Sequence, residues 1–218
     1  MIQSMQNKSR FQVERDEMIE LLKSRGIKDE RLLSAMAKVE RHHFVDAPFT
    51  NRSYDDSALP IGNEQTISQP YTVAVMTECL EIKAGDKILE IGTGSGYQAA
   101  VLAELKARVF SIERHATLLN EARKRLEQLG YNVVTKAADG TLGWSEFAPY
   151  DGIIVTAAAP DVPEPLAEQL KDGGRLVIPV GNLERQDLYI IQKTGEKYTT
   201  RVIAGFKFVP LIGKKGWK

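Results

Sequence analysis

Three glycines and two carboxylates are the residues of this chain whose spacing could do chemistry. Lys87-Ile88-Leu89-Glu90-Ile91 is an apolar strand that runs into Gly92-Thr93-Gly94-Ser95-Gly96-Tyr97, and a helical pattern opens after it. Val109-Phe110-Ser111-Ile112-Glu113 follows, an apolar strand closed by an acid about 20 residues past the first glycine. This is the order of a nucleotide-type cofactor site at the carboxyl edge of a parallel sheet. Glycines let the backbone approach a ligand because no Cβ intervenes, and a carboxylate accepts hydrogen bonds from ribose hydroxyls. The dinucleotide fingerprint requires a third glycine three positions after the second. Tyr97 fills that slot, which disfavours a nicotinamide oxidoreductase. No Lys-Ser or Lys-Thr follows, so a phosphate-cradling P-loop is excluded. Glu90, two residues before Gly92, is expected to face the pocket, where it suits an amino group or a sulfonium better than a pyrophosphate.

The Gly-x-Gly-x-Gly turn with its two acids resembles motif I of class I S-adenosylmethionine-dependent methyltransferases. Asp139-Gly140 follows the third strand at the same sheet edge. In a methyltransferase such an acid can hold the adenine amino group, yet Asp-Gly is also a common turn dipeptide, and both readings stand. The strand Asp151-Gly152-Ile153-Ile154-Val155-Thr156-Ala157-Ala158-Ala159-Pro160 ends in small residues that leave room for a ligand. It lacks the polar-Pro-Pro-aromatic ending of many amino- and N-methylating enzymes, which argues against an amine substrate. Ser68, in Gln65-Thr66-Ile67-Ser68-Gln69-Pro70-Tyr71, precedes an apolar helical run and reads as its N-cap. The helix start and the hydroxyl could together bind an anion such as a carboxylate, and the two roles are compatible. Of the histidines, His42 and His43 read as closing a helix, a favourable place for cations. His115 begins a later helix and is expected near the ribose. No metal-ligand spacing is legible, and no Ser-His-Asp order is convincing.

Lys+Arg and Asp+Glu balance at 29 each over 218 residues, so no basic excess points to nucleic acid or a membrane surface. The single Cys79 lies in a helical apolar pattern, excludes an internal disulfide and fits a reducing compartment. Residues 1–8 have no apolar core of a signal peptide, and no apolar run is long enough to span a membrane. The expectation is a soluble cytoplasmic protein, a monomer or weak oligomer.

The elements that must position these residues follow from period and punctuation. Residues 10–24 read as an amphipathic helix ended by Gly26, and Asp29 caps a second helix with Leu32, Leu33, Met36 and Val39. Residues 46–70 form a long irregular stretch, expected to be ordered because Phe49, Tyr54, Leu59, Ile61 and Ile67 punctuate it. Strands are predicted at 86–91, 108–113, 132–138, 151–157, 174–180, 187–193 and 198–208, and helices at 96–106, 115–129 and 163–171. The alternation predicts an α/β fold, a doubly wound, mostly parallel seven-stranded sheet of Rossmann-like type. N-terminal helices precede it and an antiparallel hairpin closes one edge. The chain reads as a single domain over 1–218: residues 1–80 supply the helices and a substrate-covering segment, and 81–218 the cofactor-binding core.

Over nearly its full length the chain resembles the protein-L-isoaspartate O-methyltransferase family. The resemblance is carried by Tyr54-Asp55-Asp56-Ser57-Ala58-Leu59-Pro60-Ile61-Gly62, by the Thr66-Ile67-Ser68-Gln69-Pro70 segment, by motif I, by Val155-Thr156-Ala157-Ala158-Ala159-Pro160, by Leu170-Lys171-Asp172-Gly173-Gly174-Arg175, and by Phe208-Val209-Pro210-Leu211. It implies methyl transfer from S-adenosyl-L-methionine, with S-adenosyl-L-homocysteine as product and no metal, to the free α-carboxylate of an isoaspartyl residue in a damaged protein or peptide. It further implies that Ser68 is the active-site serine. Glu90, Gly92, Thr93, Gly94, Ser95, Gly96, Glu113, Asp139 and Gly140 are then expected at the cofactor, and Ile67, Gln69, Pro70 and Val209 beside Ser68 at the substrate. Members often carry Gly-Gln before Thr-Ile-Ser; this chain has Asn63-Glu64-Gln65, an added negative charge near the substrate entrance. A carboxylate with a pKa near 4 is already ionised at neutral pH, so no general base is needed and the lack of a plausible catalytic His or Cys fits. The alternatives are a small-molecule methyltransferase on the same fold and a cofactor-binding protein without catalysis.

Overall fold

Short polar side chains start the first two helices. Ser9 accepts a hydrogen bond from the Gln12 amide and opens α1 (Arg10–Ser24), and Asp29 accepts from the Arg31 and Leu32 amides and opens α2 (Glu30–Lys38). Between them the Ile27 amide reaches the Leu22 carbonyl while Gly26 sits at φ +97°, a glycine-ended turn of the kind the sequence predicts. The computed structural model describes residues 9–218; the expectation for residues 1–8, that they carry no signal peptide, lies outside the described residues.

The irregular stretch is ordered by apolar burial rather than by regular pairing. Tyr54, Leu59, Ile61 and Ile67 are all buried, and only two-residue strands form in it, β1 (Leu59–Pro60) antiparallel to β2 (Thr66–Ile67). Helix α3 (Pro70–Leu80) follows. It corrects the reading of Ser68 as a cap: the helix begins at Pro70, whose ring pre-sets the first helical φ, so the capping position falls to Gln69, which makes no side-chain cap bond. Ser68 is one residue too early. The orphan amide of Tyr71 is instead satisfied by Asp56, at 2.9 Å from across the chain.

The sheet is built from β3 (Lys87–Ile91), then α4 (Tyr97–Glu104), β4 (Arg108–Glu113), α5 (Ala116–Gln128), β5 (Val133–Ala137), β6 (Tyr150–Val155), α6 (Glu164–Glu168), β7 (Leu170–Gly181), β8 (Gln186–Thr194) and β9 (Lys197–Phe206). Its order is β5-β4-β3-β6-β7-β8-β9, parallel from β5 to β7 and antiparallel from β7 to β9. The predicted seven-stranded, mostly parallel fold is therefore present. One helix is shorter than its pattern: residues 163–171 were expected to be helical, but α6 stops at Glu168. The Tyr150 amide bonds the Gln169 carbonyl and Leu170 pairs with Tyr150, so the strand takes the end of the helical pattern.

The pleat splits the strands between two cores. Ile88, Ile154, Val177 and Leu188 join the helices on one face, among them Leu22, Leu32 and Met36 of α1 and α2; Leu89, Ile91, Ile153 and Leu176 pack with Leu166 and Leu211 on the other. The N-terminal helices thus share their core with the sheet. Chain order reverses between β3 and β6, the point at which parallel sheets open a crevice at their carboxyl ends.

Candidate active site

A cleft lies at that crevice, where open parallel sheets take their ligands. Its floor is the turn after β3 and the ends of β4 and β6, and its walls are the residue 65–68 segment, α3 and residues 209–212. Gly92 shows why the turn needs glycine: its φ is +97°, and a Cβ there would collide with Thr156 Oγ1, which donates to the Gly92 carbonyl at 2.8 Å. Glu113 is 5% exposed at the end of β4. Its two oxygens accept from the Gly94 amide at 3.0 Å and the His115 amide at 2.9 Å, which ties the glycine turn to the start of α5. A carboxylate has more acceptor lone pairs than these two bonds use, and Glu113 lines the cleft.

Of the residues singled out in the sequence, Ile67, Ser68, Gly92, Thr93, Gly94, Ser95, Glu113, Gly140 and Val209 all line this one cleft. Five do not. Gln69 and Pro70 turn into α3. Gly96 precedes α4, where a Cβ would press on Leu126 at 3.2 Å, so it serves the packing of α4 against α5.

Glu90 is the clearest departure. It is fully buried and does not line the cleft. It stands opposite Ser111 in the β3–β4 register, and the Ser111 hydroxyl donates to Glu90 Oε2; Ser111 Oγ also lies 2.6 Å from Thr93 Oγ1. Glu90 Oε1 is buried with no partner. Burial pushes this carboxyl up to about 8, the charge of Glu113 adds to the rise, and the Ser111 hydrogen bond opposes it.

Asp139 also lies outside the lining, with both oxygens occupied: Oδ1 accepts from the Thr141 amide and hydroxyl, at 2.9 and 2.7 Å, and Oδ2 from the Lys214 amide at 2.8 Å. Burial works against its charge, but these donors win and hold the carboxyl below its ordinary range. Asp139 fastens the C-terminal loop beside Gly140, and a turn role is thereby realised.

The histidines differ from expectation. Helix α2 ends at Lys38, and His42 and His43 lie in a separate 3₁₀ turn, Arg41–Phe44. One donor atom each of Glu40, His42 and His43 come within 4.8 Å of one another, a grouping that spacing alone did not suggest. All three are engaged: Glu40 pairs with Arg15 at 3.1 Å and with His43 at 3.2 Å, and His42 Nδ1 meets the Tyr54 hydroxyl at 2.8 Å. His42 stacks on Phe11, and burial, with the neighbouring His43, keeps it below its usual pKa. His115 starts α5 but does not line the cleft, and its Nε2 is buried without a partner.

A family model for protein-L-isoaspartate(D-aspartate) O-methyltransferase matches residues 13–216. The chain belongs to this family. A protein-L-isoaspartate O-methyltransferase of Dictyoglomus thermophilum is 54% identical over 209 residues, 95% of each chain. A solved structure of a protein-L-isoaspartate O-methyltransferase superposes with a TM-score of 0.83 at 32% identity, covering 93% of this chain and 67% of the other. A second, described as a putative member from Plasmodium falciparum in complex with S-adenosyl-L-homocysteine, shares the fold with a TM-score of 0.79 at 24% identity, over 91% of this chain and 98% of that one.

For this family member the cleft also contains residues to which the sequence reading gave no role. Gln98, Arg114, Thr156, Pro210 and Ile212 line it. Arg114 and Thr156 were legible in principle, because each directly follows a strand that ends at the crevice. Ile212 was not: it is brought in by contacts between distant segments. The Leu211 amide bonds the Ala158 carbonyl at 2.7 Å, and the Trp217 indole reaches the same carbonyl at 3.1 Å.

Proposed function

We propose that this protein transfers a methyl group from S-adenosyl-L-methionine to the free α-carboxylate of L-isoaspartyl residues in damaged proteins and peptides, with Ser68 as the residue that orients the carboxylate. One observation carries the assignment of Ser68: the residue lines the same cleft as the glycine turn and Glu113, and it is not used as a helix cap. When bound, the cofactor supplies an electrophilic methyl group on a sulfonium. The residues present suit it. Glu113 offers acceptor lone pairs for hydroxyls, and the backbone of Gly92, Thr93, Gly94 and Ser95 can approach closely, with Gly140 at the far wall. Asp139 acts by holding Gly140 and the C-terminal loop in place.

The titratable side chains of the lining are Glu113, Arg114 and Tyr97. None is placed as a base, and none is needed, because the substrate carboxylate is ionised well below neutral pH. The chain's own work is alignment and exclusion of water. The Ser68 hydroxyl donates to one carboxylate oxygen and leaves the other free to attack. A neutral donor orients without quenching the nucleophile as a bidentate guanidinium would. Ile67 and Val209 supply apolar walls, and Gln69 and Pro70 fix the chain that follows Ser68. The balanced charge favours a protein or peptide partner over nucleic acid. Among the described residues no helix is long and apolar enough to cross a membrane. The single buried Cys79 fits a reducing, cytoplasmic setting, and we read the protein as a monomer or weak oligomer.

An isoaspartyl peptide is expected to be methylated and its normal aspartyl twin ignored; equal transfer to both overturns the isoaspartyl selectivity, and transfer to neither overturns the reading in favour of a small-molecule substrate. Ser68→Ala is expected to cost about 1–3 kcal/mol of transition-state stabilisation, roughly 5- to 150-fold in rate. Because Ser68 caps nothing, melting temperature and cofactor affinity should stay close to those of the parent. A variant with full activity toward the isoaspartyl peptide would remove Ser68 from the mechanism.

A further inference from the structure

Arg41 is a guanidinium with no accessible surface, lodged between the 3₁₀ turn at 41–44 and the segment that covers the cleft. A fully desolvated cation is expensive to keep, and no carboxylate is among its hydrogen-bond partners. Its Nε donates to the Ser53 carbonyl at 2.7 Å and its Nη2 to the Ser68 carbonyl at 2.8 Å, while Nη1 is buried with no partner. Its Cζ lies 4.8 Å from the ring centroid of Tyr97, a residue that follows the glycine turn and lines the cleft. Burial draws its pKa down, and Tyr97 and Asp56 draw it up.

The two carbonyls bracket the irregular segment. Ser53 stands near its start, and Ser68 lies between the end of β2 and the Pro70 that starts α3. On one side Ile67 is fixed by pairing with Leu59, and on the other Gln69 by the bond from the Val73 amide to its carbonyl. Ser68 itself is gripped by Arg41. The planar fork of arginine can serve two separate acceptors at once, which an ammonium on a flexible stem does poorly.

We propose that Arg41 is a positioning residue for methyl transfer: by clamping the main chain of Ser53 and Ser68 it sets the direction in which the Ser68 hydroxyl meets the substrate carboxylate. This rests on the reading of Ser68 given above, and the test separates the two. Arg41→Lys, Ser68→Ala and the double variant are compared for kcat and KM on an isoaspartyl peptide, for binding of S-adenosyl-L-homocysteine, and for melting temperature. Arg41→Lys should lower kcat severalfold, and by no more than Ser68→Ala does, while S-adenosyl-L-homocysteine affinity changes less than threefold. The double variant should be no more than about threefold slower than Ser68→Ala alone, because a positioning residue has nothing left to position.

Arg41→Lys at the parental rate overturns the inference, as does a double variant whose losses multiply. If Ser68→Ala is itself fully active, the reading of Ser68 fails and the inference goes with it. A core-only role would lower melting temperature and cofactor affinity together and leave kcat of the folded fraction unchanged. Should Arg41→Lys not fold, Arg41→Gln, which keeps a planar donor, takes its place in the same cycle. If neither folds, Arg41 is a core cation and the proposal is wrong.

Discussion

Glu90→Gln is expected to make the cofactor-free protein more stable at pH 9 and to abolish most of the fall in stability between pH 5 and 8. Glu90 is fully buried, its Oε1 has no partner, and burial raises its carboxyl from the ordinary 4.5 to about 8. The folded protein therefore keeps a proton that the unfolded chain has released. Between pH 4.5 and 8 the unfolded state binds fewer protons than the folded one, so stability falls with rising pH across that window and is flat above it. Each unit is worth about 1.4 kcal/mol, and the full displacement sets a ceiling of roughly 5 kcal/mol. An amide of the same shape carries no charge to desolvate, and its oxygen can accept from Ser111 as the carboxyl does. Its second hydrogen-bonding group meets the empty side of Oε1, so a net gain at pH 9 on the order of 1–3 kcal/mol is expected. Urea unfolding midpoints of both proteins at pH 5, 7 and 9 measure it. Parallel pH dependences would show that Glu90 is ionised in the folded state.

The second large effect concerns Glu113. Glu113→Ala should weaken binding of S-adenosyl-L-homocysteine by about 2–4 kcal/mol, roughly 30- to 900-fold. Two losses combine. The hydroxyl groups of the ligand lose a charged acceptor, and the Gly94 and His115 amides lose theirs, so the glycine turn is no longer tied to α5. Glu113→Gln should fall between parent and alanine variant, because one oxygen remains to accept but the charge is gone. Calorimetric titration gives the affinities and thermal melting gives the structural share. An alanine variant that melts lower yet binds within threefold of the parent would make Glu113 a strut for the turn and nothing more.

The glycine turn and Glu113 were legible as neighbours because their geometry is local. A glycine turn must follow its strand directly, and an acid at the end of the next strand reaches the same crevice because both strands are parallel and adjacent. The central strands β3, β4 and β6 were legible as well, since burial on both faces demands nearly continuous apolar runs. The family resemblance added Ser68, Ile67 and Val209, which line the cleft, and Gln69 and Pro70, which do not.

What the one-dimensional pattern determined, then, is the fold class, the order of its elements and the meeting of the glycine turn with Glu113 and Ser68 at one crevice. Tertiary structure decided which partner each polar group takes. Glu90 left the pocket because the β3–β4 register sets it against Ser111. Asp139 turned to the C-terminal loop, Asp56 replaced Ser68 at the start of α3, and Arg41 found two carbonyls far along the chain. Local period and propensity specify which face of an element is apolar. They do not specify which distant donor meets a buried acceptor, because that follows only when the whole sheet and its helices close and desolvated polar groups take the partners then within reach.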